Sequence, residues 1–68
     1  MVKRTLYISG NSRDVLAARA VLSTISGVHG VTPLEDGHTL YLDKNRRLPD
    51  IALLTALERA GVSGANLL

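Results

Sequence analysis

Val28-His29-Gly30-Val31-Thr32-Pro33-Leu34-Glu35-Asp36-Gly37-His38-Thr39-Leu40-Tyr41-Leu42-Asp43 is a hairpin set in the middle of the chain, and its position decides the architecture. Val28 to Glu35 reads as a strand. Pro33 has no N–H to give to a ladder, so this strand belongs at a sheet edge. Glu35-Asp36-Gly37-His38 is the turn, with Asp-Gly as the hairpin signal. His38 to Asp43 alternates, with Leu40 and Leu42 on one face and Thr39 and Tyr41 on the other.

On both sides of the hairpin the period becomes helical. From Arg13 to Ser26, Val15, Ala18, Leu22 and Ile25 share one face with Val21 beside them. Leu16 lies off that stripe, next to Arg19. Ser12 is the expected N-cap, Asp14 a first-turn acid and Gly27 the left-handed stop. Downstream, Lys44 to Arg47 reads as a basic connection. Pro49 opens the second helix where its missing N–H is harmless. Leu53, Ala56, Leu57 and Ala60 form its stripe, Leu54 flanks it, Ile51 lies opposite, and Gly61 closes it. At the two ends, Thr5 to Ser9 alternates, with Leu6 and Ile8 against Thr5 and Tyr7. Val62 to Leu68 is a short last strand weakened by Gly64.

The order is strand, helix, strand, strand, helix, strand. Two right-handed crossovers around a hairpin make a split βαβ plait. The expectation is an α+β, ferredoxin-like βαββαβ domain with both helices on one face of a four-stranded antiparallel sheet. The other sheet face is left open.

The chain has 68 residues, enough for one domain spanning 1–68. A chain this short buries only about 60% of its unfolded surface. With no cysteine, it has no disulfide framework, zinc ribbon, iron–sulfur cluster or thiol nucleophile. Two Tyr and no Trp or Phe exclude a large aromatic catalytic pocket. The net charge is +2, with six of the eight cations arginine, and the short clusters are Lys3-Arg4 and Lys44-Asn45-Arg46-Arg47. No stretch approaches the roughly 18 apolar residues of a membrane span, and no signal segment is legible. A soluble, cytoplasmic chain is the expectation.

Four places carry a resemblance to the heavy-metal-associated, copper-chaperone-like domain family. They are the first strand ending in Gly10, the helix end Val21-Leu22-Ser23-Thr24-Ile25-Ser26-Gly27-Val28, the hairpin Leu34 to Leu40, and Leu53-Leu54-Thr55-Ala56-Leu57-Glu58-Arg59-Ala60-Gly61-Val62. The resemblance covers nearly the whole chain and implies a small non-enzymatic binding module with a metal-homeostasis or partner-docking role. The family's metal motif is Gly-Met-Thr-Cys-x-x-Cys, whose thiolates grip a soft ion. Here the loop reads Gly10-Asn11-Ser12-Arg13-Asp14-Val15-Leu16. Counted forward from Gly10, the thiol positions hold Arg13 and Leu16. Counted back from Gly27, they hold Asn11 and Asp14. The resemblance therefore implies the scaffold without the thiolate chemistry, and it places a partner near this loop.

Binding is accordingly expected at Asn11, Ser12, Arg13, Asp14 and Leu16, with a protein partner, no cofactor and no metal ligand set. Free amides at this helix start, with Arg13, could also hold an anion. His29 and His38 lie on different elements without ligand spacing, which makes them surface or structural groups. Tyr7 and Tyr41 fall on neighbouring central strands and on the open face. RNA-recognition domains stack bases on aromatics at such positions, and Leu6-Tyr7-Ile8-Ser9-Gly10-Asn11 resembles their first short motif. A nucleic-acid or protein interface on that face is the alternative. No triad, phosphate loop or carboxylate pair is present, so the expectation is a non-enzymatic domain.

Overall fold

Alternation along the first strand sends Leu6 and Ile8 to one side, where both are fully buried, and Tyr7 to the other. The computed structural model describes all 68 residues. The elements are β1 (Val2–Ile8), α1 (Ser12–Ser23), β2 (Val28–Pro33), β3 (Thr39–Lys44), α2 (Asp50–Arg59) and β4 (Ala65–Leu67). They build one antiparallel sheet in the order β2-β3-β1-β4. This is the βαββαβ ferredoxin-like arrangement expected from the sequence. Pro33 does lie on an edge strand, paired with Leu40 on one side only.

Leu6 and Ile8 of β1, Leu40 and Leu42 of β3, Val15, Ala18 and Leu22 of α1, Leu53 and Leu57 of α2, and Val62 form one core cluster. Because both helical stripes enter the same cluster, both helices cover the same sheet face. Leu16 and Ile51, placed off the stripes by their angular positions, are 63% and 67% exposed. No helix is long and apolar enough to cross a membrane.

Several boundaries differ from the sequence reading, each for a local reason. α1 is capped by Asn11, one residue before Ser12, because the Asn11 carboxamide reaches the first-turn amides. α1 ends at Ser23, before Gly27. The Ser23 hydroxyl donates to the Arg19 carbonyl at 2.7 Å and the Thr24 hydroxyl to the Val21 carbonyl at 2.7 Å. Such back-bonding offers the carbonyls an alternative to the next helical amide. Gly27, at φ 98°, instead serves the turn into β2. Pro49 is the N-cap of α2 and Asp50 its first residue. Ala60 lies just past the helix, exposed, and is not part of the buried stripe. β2 stops at Pro33 and β4 is confined to Ala65–Leu67.

The largest difference is Lys44. It ends β3 and is not part of a solvated basic connection. Spaced two and four residues from Leu42 and Leu40, it points to the covered face. It is only 3% exposed, and its Nζ donates to the Leu48 carbonyl. Asp50 Oδ1 lies 3.4 Å from the same nitrogen, and Arg4 Nε lies 3.3 Å from Asp50 Oδ2. The network ties β1, β3 and the start of α2 together.

Candidate functional site

The β1–α1 loop closes on itself. Asn11 Oδ1 accepts from the Arg13 N–H at 3.0 Å and the Asp14 N–H at 3.1 Å. Asp14 Oδ2 in turn accepts from the Asn11 N–H at 3.1 Å. This reciprocal capping box satisfies three of the four orphan amides, those of Asn11, Arg13 and Asp14, with the protein's own oxygens. A Cβ on Gly10 would run into the Asp14 carboxylate, so glycine there makes room for the cap. An anion would have to displace the Asn11 carboxamide to reach the Arg13 and Asp14 amides, and the Asp14 carboxylate to reach that of Asn11. Asn11 and Asp14 are occupied with each other. Ser12 and Arg13 are exposed in the first turn.

What this end offers to solvent is the outer face of α1. Arg13, Leu16 and Arg19 recur at spacings of three and lie on one side of the helix. All three are exposed, and neither arginine forms an ion pair. Asp14, the one acid of α1, is turned into the cap. The sequence reading named Arg13 and Leu16 and left Arg19 out of the set. The signal was available, since Arg19 follows Leu16 by one helical step.

The two histidines do not meet. His38 closes the β2–β3 turn beside the end of β1. Its Nδ1–H donates to the Ile8 carbonyl at 2.9 Å, and the Ile8 N–H donates to the His38 carbonyl at 2.9 Å. His29 lies at the other end of the hairpin, exposed, inside the register shift between Val28 and Gly30. No three His, Asp or Glu side chains converge on a common point.

The hairpin turn is held by Asp36. Its carboxylate accepts the Thr39 hydroxyl at 2.5 Å, the His38 N–H at 2.9 Å and the Thr39 N–H at 2.8 Å. The Thr39 hydroxyl, then these two amides, hold the Asp36 carboxyl below the ordinary aspartate value of 3.8. A depressed folded-state pKa gives stability that is complete above the unfolded value and is lost as pH falls through the folded one. Urea midpoints should therefore fall below about pH 4, and Asp36→Asn should flatten that acid limb. Equal acid slopes in the two proteins would show that Asp36 does not contribute.

On the open sheet face, Tyr7 and Tyr41 are 37% and 38% exposed. The register pairs Tyr7 with Thr39 and Thr5 with Tyr41, so the two rings are diagonal neighbours on β1 and β3. The Tyr7 ring lies 5.8 Å from that of His38, and Lys3 Nζ lies 5.8 Å from the centre of Tyr41. The second contact is within cation–π range. No family model matches this sequence. No curated protein matches it either.

Proposed function

We propose that this chain is a non-catalytic binding domain built on the heavy-metal-associated plan, with partner docking in place of soft-metal capture. The observation that carries the reading is the α1 surface: Leu16 stands out of a closed helix start between two unpaired arginines. An apolar side chain ringed by cations, with no acid to offset them, is complementary to an acidic surface bearing a small apolar pocket. Capping by Asn11 and Asp14 keeps this face rigid, which reduces the ordering cost of docking. The family's thiol positions hold Arg13 and Leu16, or Asn11 and Asp14, so the same residues that withhold ion capture present or support the docking surface.

A synthetic peptide with leucines spaced between glutamates is a suitable probe, followed through backbone amide NMR shifts. Saturable shifts confined to residues 12–23 are expected. They should weaken about tenfold or more in Leu16→Ser/Arg13→Glu, the scale of one lost hot-spot contact, and stay unchanged in Tyr7→Ala. Shifts on the sheet strands alone would contradict the assignment.

A second reading is favoured by the two exposed tyrosines on the central strands, with Lys3 above one of them. That face suits a single-stranded nucleic acid, each base stacked being worth about 1–3 kcal/mol. A low-salt oligonucleotide titration with Tyr7→Ala and Tyr41→Ala tests it. Binding that survives both substitutions unchanged excludes stacking.

A further inference from the structure

The end of the sheet opposite the β1–α1 loop carries a shallow depression of about 250 Å3, lined by Met1, His29, Asn45, Arg46 and Arg47. No acidic side chain lines it. Its floor and rim are fixed by backbone bonds. The Asn45 N–H donates to the Gly27 carbonyl at 2.7 Å, and the Leu48 N–H donates to the Asn45 carbonyl at 3.0 Å, closing a turn. Asn45 Oδ1 accepts from the Arg47 N–H at 2.9 Å, and its Nδ2 forms no hydrogen bond within the protein. Arg46 and Arg47 therefore occupy the two middle positions of a pinned turn, and neither is ion-paired. The carboxylate nearest in sequence beyond the turn, Asp50, is already held by Arg4 and Lys44. Asp43 lies across from Gly30 on the neighbouring strand position.

We propose that this depression is a binding site for a phosphoryl group, specifically the terminal phosphate of a small monoester. Of its five lining residues, two arginines, one histidine and one asparagine carry donor groups. Arginine forks match phosphate oxygens in pairs, and such charge-assisted bonds are the strong ones. The cup is the single depression of the surface, with no second one beside it, and a bounded cup suits a terminal phosphate better than a continuous nucleic-acid backbone. Register shift at Val28/Gly30 accounts for the placement of His29. The extra residue in β2 re-aims a side chain, as bulges beside binding sites do. The site lies at the far end of the molecule from Arg13 and Leu16, so it is tested independently of the α1 surface.

The experiment is an amide NMR titration at constant ionic strength with inorganic phosphate, with phenyl phosphate and with a diester dinucleotide. Saturable shifts at His29 and residues 45–48 are expected with the first two. The dissociation constant should rise about tenfold or more in Arg46→Gln/Arg47→Gln, corresponding to the loss of at least one charge-assisted pair. Arg13→Gln/Arg19→Gln should leave it unchanged. Amide spectra of the turn variants report that the fold is kept, and Arg46→Lys/Arg47→Lys should retain part of the binding. Shifts that grow linearly without saturating, or an unchanged constant in the glutamine variant, overturn the site. Equal affinity for the diester overturns the monoester assignment.

Discussion

Leu6→Ala is expected to lower stability by about 3 kcal/mol, as large-to-small changes at fully buried sites do. Leu6 is wholly inaccessible and sits at the middle of β1, with Leu40 across one side and Leu67 across the other. Both helices pack onto the cluster that contains it, so a cavity there loses partners from several elements at once. A chain of this length holds roughly 3–10 kcal/mol in total, so the variant should be close to unfolded at the lower end. Urea and thermal unfolding followed by circular dichroism measure the effect, with a drop of about 12–24 °C in Tm expected. Leu16→Ala, on the exposed face of α1, should stay within about 0.5 kcal/mol of the parent. If the two substitutions cost the same, the assignment of inward and outward faces is wrong.

Lys44→Ala is expected to cost about 2–3 kcal/mol, which is large for a lysine. Its stem is buried beside Leu42 on the covered face, and its ammonium donates to the Leu48 carbonyl. Alanine removes the stem and leaves that carbonyl without its partner. The Asp50 contact matters less, because the Asp50 side chain is 42% exposed and also shared with Arg4. Lys44→Met keeps the apolar stem and should cost about 1 kcal/mol, since a buried charge replaced by a hydrophobe of similar volume is often tolerated. Urea denaturation of both variants separates the contributions. An alanine variant as stable as the parent would mean that the ammonium is solvated and the network does not hold β3 to α2.

These two positions also show what the sequence makes legible. Leu6 follows from strict alternation in β1, which survives because one face is buried and one is open. Lys44 obeys the same alternation after Leu40 and Leu42, but its chemistry suggests a loop and hides the periodicity. The cap of α1 is Asn11 and not the expected Ser12, its neighbour and an equally good cap residue. Asp14 decides between them, since a capping box needs its acid three residues after the cap, and that spacing selects Asn11. Arg13 and Leu16 could be placed at the helix start from counting alone. That the loop beside them is closed could not, because it depends on side-chain oxygens meeting amides in three dimensions. The depression at Arg46 and Arg47 was hidden for a similar reason. It takes a residue from β2, a turn after β3 and Met1, distant in sequence, to form it.

The first loop of the plait is a helix cap closed by Asn11 and Asp14. Titration with Cu(I), Zn(II) and Ni(II), read at the amides of residues 10–16, tests it most directly. The expected result is no shift at these positions at one equivalent of any of the three ions, with the Asn11–Asp14 bonds intact. A saturable shift centred on Asn11 to Leu16 would mean that the cap opens to hold an ion, and would contradict the account.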